Sequence, residues 1–561
     1  MRIYFNFLAF FRYSISFILL SCLLLITQDI TAQDLSQPQY DVIFEEDVEI
    51  QVRDGMKLRA DIYRPDAPSH IKFPVLMNIS AYQKSLDRIL PHVPPFTHVE
   101  RPEPEWWTAR GYVLVFIDTR GTGTTPGIAK IWSMQESRDL YDAIEWSAVQ
   151  DWSNGKVGLS GVSYYAITQW NVASLQPPSL TTIVPWEGWT DLYRDSIFQG
   201  GVFNQSFYGR WWLDTMGKQL LENQRSSNTN AFNDPLIWDF MVHHLDGPYW
   251  DEVRSRAQFD KIEVPLFSAG NWNGWTHHLR GNIEGYTRSV SNNKRLEVHI
   301  GGHVDDYYSD RGKHDMLRWY DYWLKDIDTG IMDEPPVKLC IRTSIDNCEW
   351  RLENEWPLAR TNYTKYYLSA DDANAVEDSI YDLRLSESPP TEMSTLTYAA
   401  GPEAYRRGLR DLPTISFVSD PVLEDIEVTG HIKVQMWVSS ETDDMDIFAY
   451  LINMAPDGTS EIASRGILQV SHRKLDPELS THYRPYHTHD EEQKLIPGDI
   501  VPIEVEIVAT SMVFKEGHRI RLDINAHDGD HYFAAYNLEN NSVYIGGDYP
   551  SYVQLPIIPS R

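Results

Sequence analysis

The chain has 561 residues, 42% of them hydrophobic and 23% charged, the proportions of an ordinary globular protein. That length is too great for one core, so two or three domains are expected. A formal net charge of −31 excludes nucleic acid and anionic membrane as expected partners, because both would repel it.

The chain opens on a targeting pattern. Arg2 and Arg12 form a positive lead, Ser14 to Ile26 is apolar but too short to span a bilayer, and Ile30-Thr31-Ala32 offers a small-residue cleavage site. Residues 1–32 therefore read as a signal peptide. Leu19-Leu20-Ser21-Cys22 also matches a lipoprotein box, but Leu23 to Ile26 carry the apolar run past Cys22, where a lipidated cysteine should close it. Release into the periplasm or the medium is thus expected over anchoring at Cys22, with no stable membrane span once the signal is removed. The remaining cysteines are Cys340 and Cys348. An oxidising compartment permits a disulfide between them; two unpaired buried thiols are the alternative. No zinc spacing occurs, so neither metal nor cofactor is expected.

Residues 48–63 read as a hairpin turning at Arg53-Asp54-Gly55. Strands are expected at Val75–Ser80, Tyr112–Asp118, Val157–Ser160, Thr181–Pro185, Pro265–Ala269 and Leu296–Ile300, with a helix over 136–150. Strands separated by helical stretches predict a largely parallel sheet covered by helices on both faces. From Trp186 to Lys261 the pattern breaks into aromatic-rich helical runs, which read as a cap inserted at about 187–262. After Gly330, alternating strands separated by Pro- and Gly-bearing turns (HIKVQMWVSS, MDIFAYLINM, PIEVEIV and others) predict an antiparallel β-sandwich.

The segment KVGLSGVSYYA (156–166) is the most informative. A strand meets Gly161, a serine follows at 163, and a helix-compatible stretch begins at Ala166. This is the strand–turn–helix setting of a nucleophile elbow, in which a sharp turn lifts a serine hydroxyl above the sheet. Tyr165 stands where G-x-S-x-G has its second glycine.

With FIDTRGTGTTPG (116–127) and ESRDLYDAIEWSAVQDWSNG (136–155) around it, this segment resembles the serine hydrolase family of cocaine esterase, α-amino-acid ester hydrolases and X-prolyl dipeptidyl aminopeptidases. The family elbow is G-x-S-Y-x-G; Gly161, Ser163 and Tyr164 match it, and Ala166 replaces the last glycine. The resemblance runs from about Val48 to Pro559. It implies an α/β-hydrolase core over 40–335 that includes the helical cap, and a C-terminal jelly roll over 336–561.

The resemblance further implies a histidine after the last core strand, and LEVHIGGH places His303 there, with His299 inside the strand pattern. The expected oxyanion donors are the backbone N–H of Tyr164 and the hydroxyl of Tyr82, in the loop after the Val75–Ser80 strand. The acid departs from the family pattern. Asn273 occupies the place of the family's aspartate, so a relocated carboxylate is expected: Glu187 first, then Asp191, both following the Thr181–Pro185 strand. Asn273 comes third, as a neutral orienter. Asp305 and Asp306 lie close to His303 in sequence but are not expected to turn back to its ring. Trp272, Trp275, Trp211 and Phe207 are candidates for an apolar substrate pocket; simple packing is the other reading. No carboxylate follows Asn273 closely, which disfavours recognition of a substrate ammonium.

These readings converge on an exported serine hydrolase that cleaves an ester or amide of a small-molecule or peptide substrate through an acyl-enzyme. An acyl esterase leads, and an X-Pro dipeptidyl aminopeptidase is second. A catalytically inactive binding protein on the same fold is the alternative from another class. Oligomeric state is not legible.

Overall fold

A computed structural model describes residues 35–85, 100–205, 207–212, 234–370, 383–400, 414–526, 528 and 539–559. The expected signal segment, with Cys22, lies outside these residues, as does most of the expected helical run after Asn204.

The first half is built on one mostly parallel sheet. Strands β1 (Val42–Gln51) and β2 (Lys57–Pro65) form the expected hairpin, which starts earlier than its sequence pattern. β2 runs antiparallel to β4 (Val113–Asp118). From there β4, β3 (Phe73–Ser80), β5 (Ser153–Val162), β6 (Leu180–Trp186), β7 (Leu266–Asn271) and β8 (Lys294–His299) are parallel neighbours in that order. Every residue of β3 and β4 is buried, which is why these segments are mostly apolar with no polar face, the buried Asn78, Ser80 and Asp118 falling toward their C-terminal ends. Helices α1 (Met134–Ala148) and α2 (Tyr164–Ala173) cover one face through Leu140, Ile144 and Trp170. A later helix, Asp310–Lys325, covers the other through Met316, Trp319 and Tyr320. α1 begins with a capping box shifted by one residue: Ser133 Oγ accepts from the Glu136 amide, and Glu136 Oε2 accepts from the amide of Trp132, the residue before the cap.

Between Glu187 and Lys261 the described residues form short helical turns rather than long helices. The run DPLIWDFMVHHL is helical only over Leu236–Val242, because Pro235 opens it and the chain turns off at His243, whose ring stacks on Tyr249. These turns pack an aromatic cluster with Trp132, Tyr164 and Trp189 over the C-terminal ends of the parallel strands.

The second half is mostly antiparallel, with long strands such as Ile426–Ser440 paired to Val501–Phe514; Leu383–Ser386 and Thr414–Val418 are a parallel pair within it. Sequence reading missed Ser460–Gln469, where Ser464, Arg465 and Gly466 interrupt the apolar alternation. The halves are joined by a ladder. β9 (Val337–Arg342) lies parallel to β8 and at its far end pairs Arg342 with Met512 of the second half. β9 also forms a hairpin with β10 (Cys348–Glu353), and Cys340 and Cys348 are disulfide-bonded across it with a Cα–Cα distance of 5.3 Å.

Candidate active site

Ser163 sits on the turn between β5 and α2 with φ +57° and ψ −116°, a conformation that L-residues rarely adopt and that the surrounding structure has to impose. Its amide donates to the carbonyls of Trp186 (3.0 Å) and Glu187 (3.1 Å), so the ends of β5 and β6 hold the turn. Gly161 is required: a Cβ there would lie 2.5 Å from Tyr165 Cβ. Ala166 fits in place of the family glycine because it faces Gly188, where an added Cβ would come within 2.5 Å.

Ser163, Tyr82, Glu187 and His303 line one cavity of about 520 Å³. His303 follows β8 on a turn opened by Gly301 at φ +107°. Its Nδ1 lies 2.8 Å from Glu187 Oε2. Glu187 is itself at φ +46°, directly after β6, and is 1% exposed. Its other oxygen accepts from Asn271 Nδ2 at 3.2 Å, and Asn271 Nδ2 also donates to the Gly301 carbonyl at 3.0 Å. Asn271 thus ties the carboxylate to the histidine turn. His299 is buried in β8, its Nε2 3.5 Å from Glu187 Oε1 and its ring tilted against Trp186.

Asp191 does not approach the histidine. Its carboxylate is bound by Arg194 (3.0 Å) and Arg256 (3.2 Å), which overcome burial and hold its pKa well below the usual range. Asp305 caps the Gly302 amide at 2.8 Å and Asp306 pairs with Arg311.

Asn273 as a neutral orienter of His303 is corrected. Its amide oxygen accepts from Arg342 Nη1 at 3.1 Å, and its NH₂ donates to the Ile345 carbonyl at 3.2 Å. Arg342 is fully buried and otherwise bonded to neutral acceptors, among them the carbonyls of Ser511 and Ala463; burial pushes its pKa down to about 9, with Glu461 opposing. The side chain at 273 therefore answers to this cation.

The pocket reading divides. Phe207 and Trp211 line the cavity, with Trp132 stacked on Trp211 at 4.8 Å. Trp272 does not: it is fully buried, with Nε1 donating to the Cys340 carbonyl at 2.8 Å. Trp275 lies under the Arg465 guanidinium, 4.8 Å from its ring centre, and is no part of the cavity wall.

Across the cavity, Tyr82 Oη accepts from Trp211 Nε1 at 3.1 Å, and both side chains line the same cavity as Ser163. Burial first, then the charge of Glu100, pushes the Tyr82 pKa well above its ordinary value, so the phenol keeps its proton and remains a donor. Tyr164 follows the serine at the start of α2; its hydroxyl donates to Glu136 Oε1 at 2.7 Å. Burial raises the Glu136 carboxyl to about 7 against that bond and those from Thr119 and the Trp132 amide.

Sequence reasoning missed Asn271, Glu136, His278 and Glu100. The capping box could have flagged Glu136; the other three have no local signature. The His278 ring lies parallel to His303 at 5.0 Å and to Trp189 at 5.3 Å, a three-ring stack that restrains the imidazole. Glu100 Oε1 lies 3.2 Å from His303 Nε2. Burial alone would push the His303 pKa down; the Glu187 charge, then hydrogen bonds to Glu100 and Glu187, raise it to about 10. With 38% of the side chain exposed, water screens part of this, and the direction is upward.

This is a serine, an imidazole and a carboxylate gathered in one cavity with a neutral phenol beside the serine, an arrangement suited to acyl transfer. Residues 54–305 match the model of the X-Pro dipeptidyl-peptidase (S15) family, and residues 329–554 match that of the X-Pro dipeptidyl-peptidase C-terminal non-catalytic domain. A CocE/NonD family hydrolase from Staphylococcus aureus is 30% identical; the match covers 92% of this chain and 94% of that one, with a TM-score of 0.82. The cocaine esterase of Rhodococcus sp. is 25% identical over 91% of this chain and 98% of its own length. An α-amino-acid ester hydrolase structure, 18% identical with a TM-score of 0.67, shares the fold over 95% of this chain and 99% of its own.

Proposed function

The chain belongs to the family of CocE/NonD hydrolases and X-Pro dipeptidyl-peptidases, which are serine hydrolases, and from that membership we propose that it is an exported acyl esterase working through an acyl-enzyme on Ser163. In this reading the parallel sheet is an α/β-hydrolase core, residues 187–262 are its cap and the second half is a jelly roll. Ser163 Oγ attacks the ester carbonyl while His303 Nε2 takes its proton. Glu187, at Nδ1, holds the ring and stabilises the imidazolium that forms. The Tyr164 amide and the Tyr82 hydroxyl hold the developing oxyanion. His303 then gives its proton to the leaving alcohol, and water repeats the sequence to release the acid.

The observation that carries the proposal is the Glu187–His303 contact of 2.8 Å in the cavity that holds the strained Ser163. It also argues against an inactive binding protein, because it supplies a carboxylate where the family position has none. An ester is favoured over an X-Pro peptide because, among the described residues, the two carboxylates lining the cavity, Glu100 and Glu187, both face His303, which leaves neither for a substrate ammonium.

A fluorophosphonate should label the mature protein at Ser163, as read by peptide mapping, and a chromogenic panel should show turnover of neutral esters above X-Pro anilides. A folded protein that takes up no label would remove the serine hydrolase mechanism. Turnover of anilides alone would replace the esterase with a peptidase. Tyr82→Phe should lower kcat by ~10²–10³ with little change in KM, since the bond it deletes strengthens only as charge develops. An unchanged kcat would return Tyr82 to packing.

A further inference from the structure

The imidazole of His303 is gripped at both ends. Glu187 meets Nδ1, as an esterase relay needs, but Glu100 Oε1 lies 3.2 Å from Nε2, the nitrogen that has to accept the Ser163 proton. Glu100 is delivered there by the elbow. Its carbonyl accepts from the Val162 amide at 2.8 Å, and the residue is held at φ +62°. Its second oxygen, Oε2, is buried without a hydrogen-bond partner among the described residues, so none of them competes there for the carboxylate.

Building on the assignment of Ser163 and His303, we propose that Glu100 is a further residue of the proton-transfer site. By occupying Nε2 it holds His303 as the imidazolium, and the ring becomes a base for Ser163 only when that proton leaves and Glu100 releases the nitrogen. The proton lost is the one on Nε2, which passes to solvent; the 3.2 Å contact with Glu100 opens, and no covalent bond to Glu100 forms or breaks.

The other charged groups around the ring do not replace this effect. His278, stacked on it from the start of the Leu279–Arg288 helix, is kept neutral by burial, with its pKa well below the ordinary value. His299 faces the far oxygen of Glu187. Asp305 and Asp306, on the turn that follows His303, are engaged by the Gly302 amide and by Arg311. Two carboxylates on one imidazole favour its charged form, and the lift of the His303 pKa has that sign. A raised pKa keeps the base protonated as pH climbs through the neutral range, so the acid limb of activity is displaced to alkaline pH.

The test is the pH dependence of Ser163 labelling by a neutral fluorophosphonate, with kcat/KM for a neutral nitrophenyl ester measured in parallel. Both use the mature full-length protein and its Glu100→Gln variant. Glutamine keeps the size and removes the charge. The acid limb should move down by at least about one pH unit, making the variant about tenfold faster near pH 7. Glu100→Asp, which withdraws the carboxylate by one methylene, should move it part of the way and guards against a glutamine variant that folds poorly. An unmoved limb in both variants overturns the proposal. So does slower labelling at every pH, or a change confined to KM, which would make Glu100 a substrate contact. Ester turnover with no label on Ser163 in either protein would sink the Ser163 assignment itself, and this proposal with it.

Discussion

Ser163→Ala will leave a folded protein with essentially no esterase activity. The expected loss in kcat is ~10⁴–10⁶, the residue being what an oxyanion site and substrate binding retain without a nucleophile. The fold should be spared, because the serine hydroxyl caps no helix. The turn is set instead by backbone bonds to Trp186 and Glu187 and by the absence of a side chain at Gly161. Alanine suffers the positive φ as serine does, so thermal unfolding should be little changed. The measurement is single-turnover and steady-state hydrolysis of the best neutral ester, with circular dichroism as the control. Activity above a few per cent of wild type, on protein freed of contaminating hydrolases, would mean that another group attacks the substrate.

Glu187→Gln is the second large effect. Glutamine matches the size of the side chain and preserves the packing of a position that is 1% exposed. It removes the charge that stabilises the imidazolium, and its NH₂ group can impose the wrong tautomer on His303. The corresponding acid-to-amide change in a serine triad costs ~10⁴ in kcat, and a loss of that order is expected here. The double variant Glu187→Gln/Asn273→Asp decides where the acid can sit. A carboxylate at 273 would face the buried Arg342 guanidinium, 3.1 Å from the present amide oxygen, and so would form an ion pair there. The double variant should therefore be as slow as the single one. Recovery of activity would show that the family position still reaches the histidine and that Glu187 is a supporting group.

What the sequence made legible was whatever has a local signature. The six core strands were readable because each is a short apolar run bounded by turns, and Ser163 because Gly161 and a helix start bracket it. Glu187 was readable because it is the first residue past its strand, where side chains meet over the sheet edge. Trp272 was misread for a physical reason: successive extended residues face opposite sides. Asn271 turns to Glu187, and its neighbour turns to Cys340 and the core. An aromatic residue near a strand end carries no mark of which side it takes. Asn273 was tied to the histidine only by analogy of position, and Arg342, which in fact holds it, comes from 69 residues further along the chain. Glu100 reaches His303 from 203 residues away, as the numbering shows, and nothing local to either announces the meeting.

The bonds from Trp272 and Asn273 to the disulfide-closed hairpin bear on the order in which the enzyme is made. The loop carrying Asn271, which steadies Glu187, is fastened by the carbonyls of Cys340 and Ile345 and by Arg342. Arg342 is in turn fixed by Ala463 and Ser511. A nascent chain has synthesised Ser163, Glu187 and His303, the proposed nucleophile, acid and base, by residue 303, yet the frame that steadies them is not complete until some two hundred residues more have emerged. On the proposed assignment, catalytic competence is therefore a late event in the life of the polypeptide, acquired when the second half has closed on the first, and a chain interrupted before then carries the proposed reacting groups without the support that aligns them.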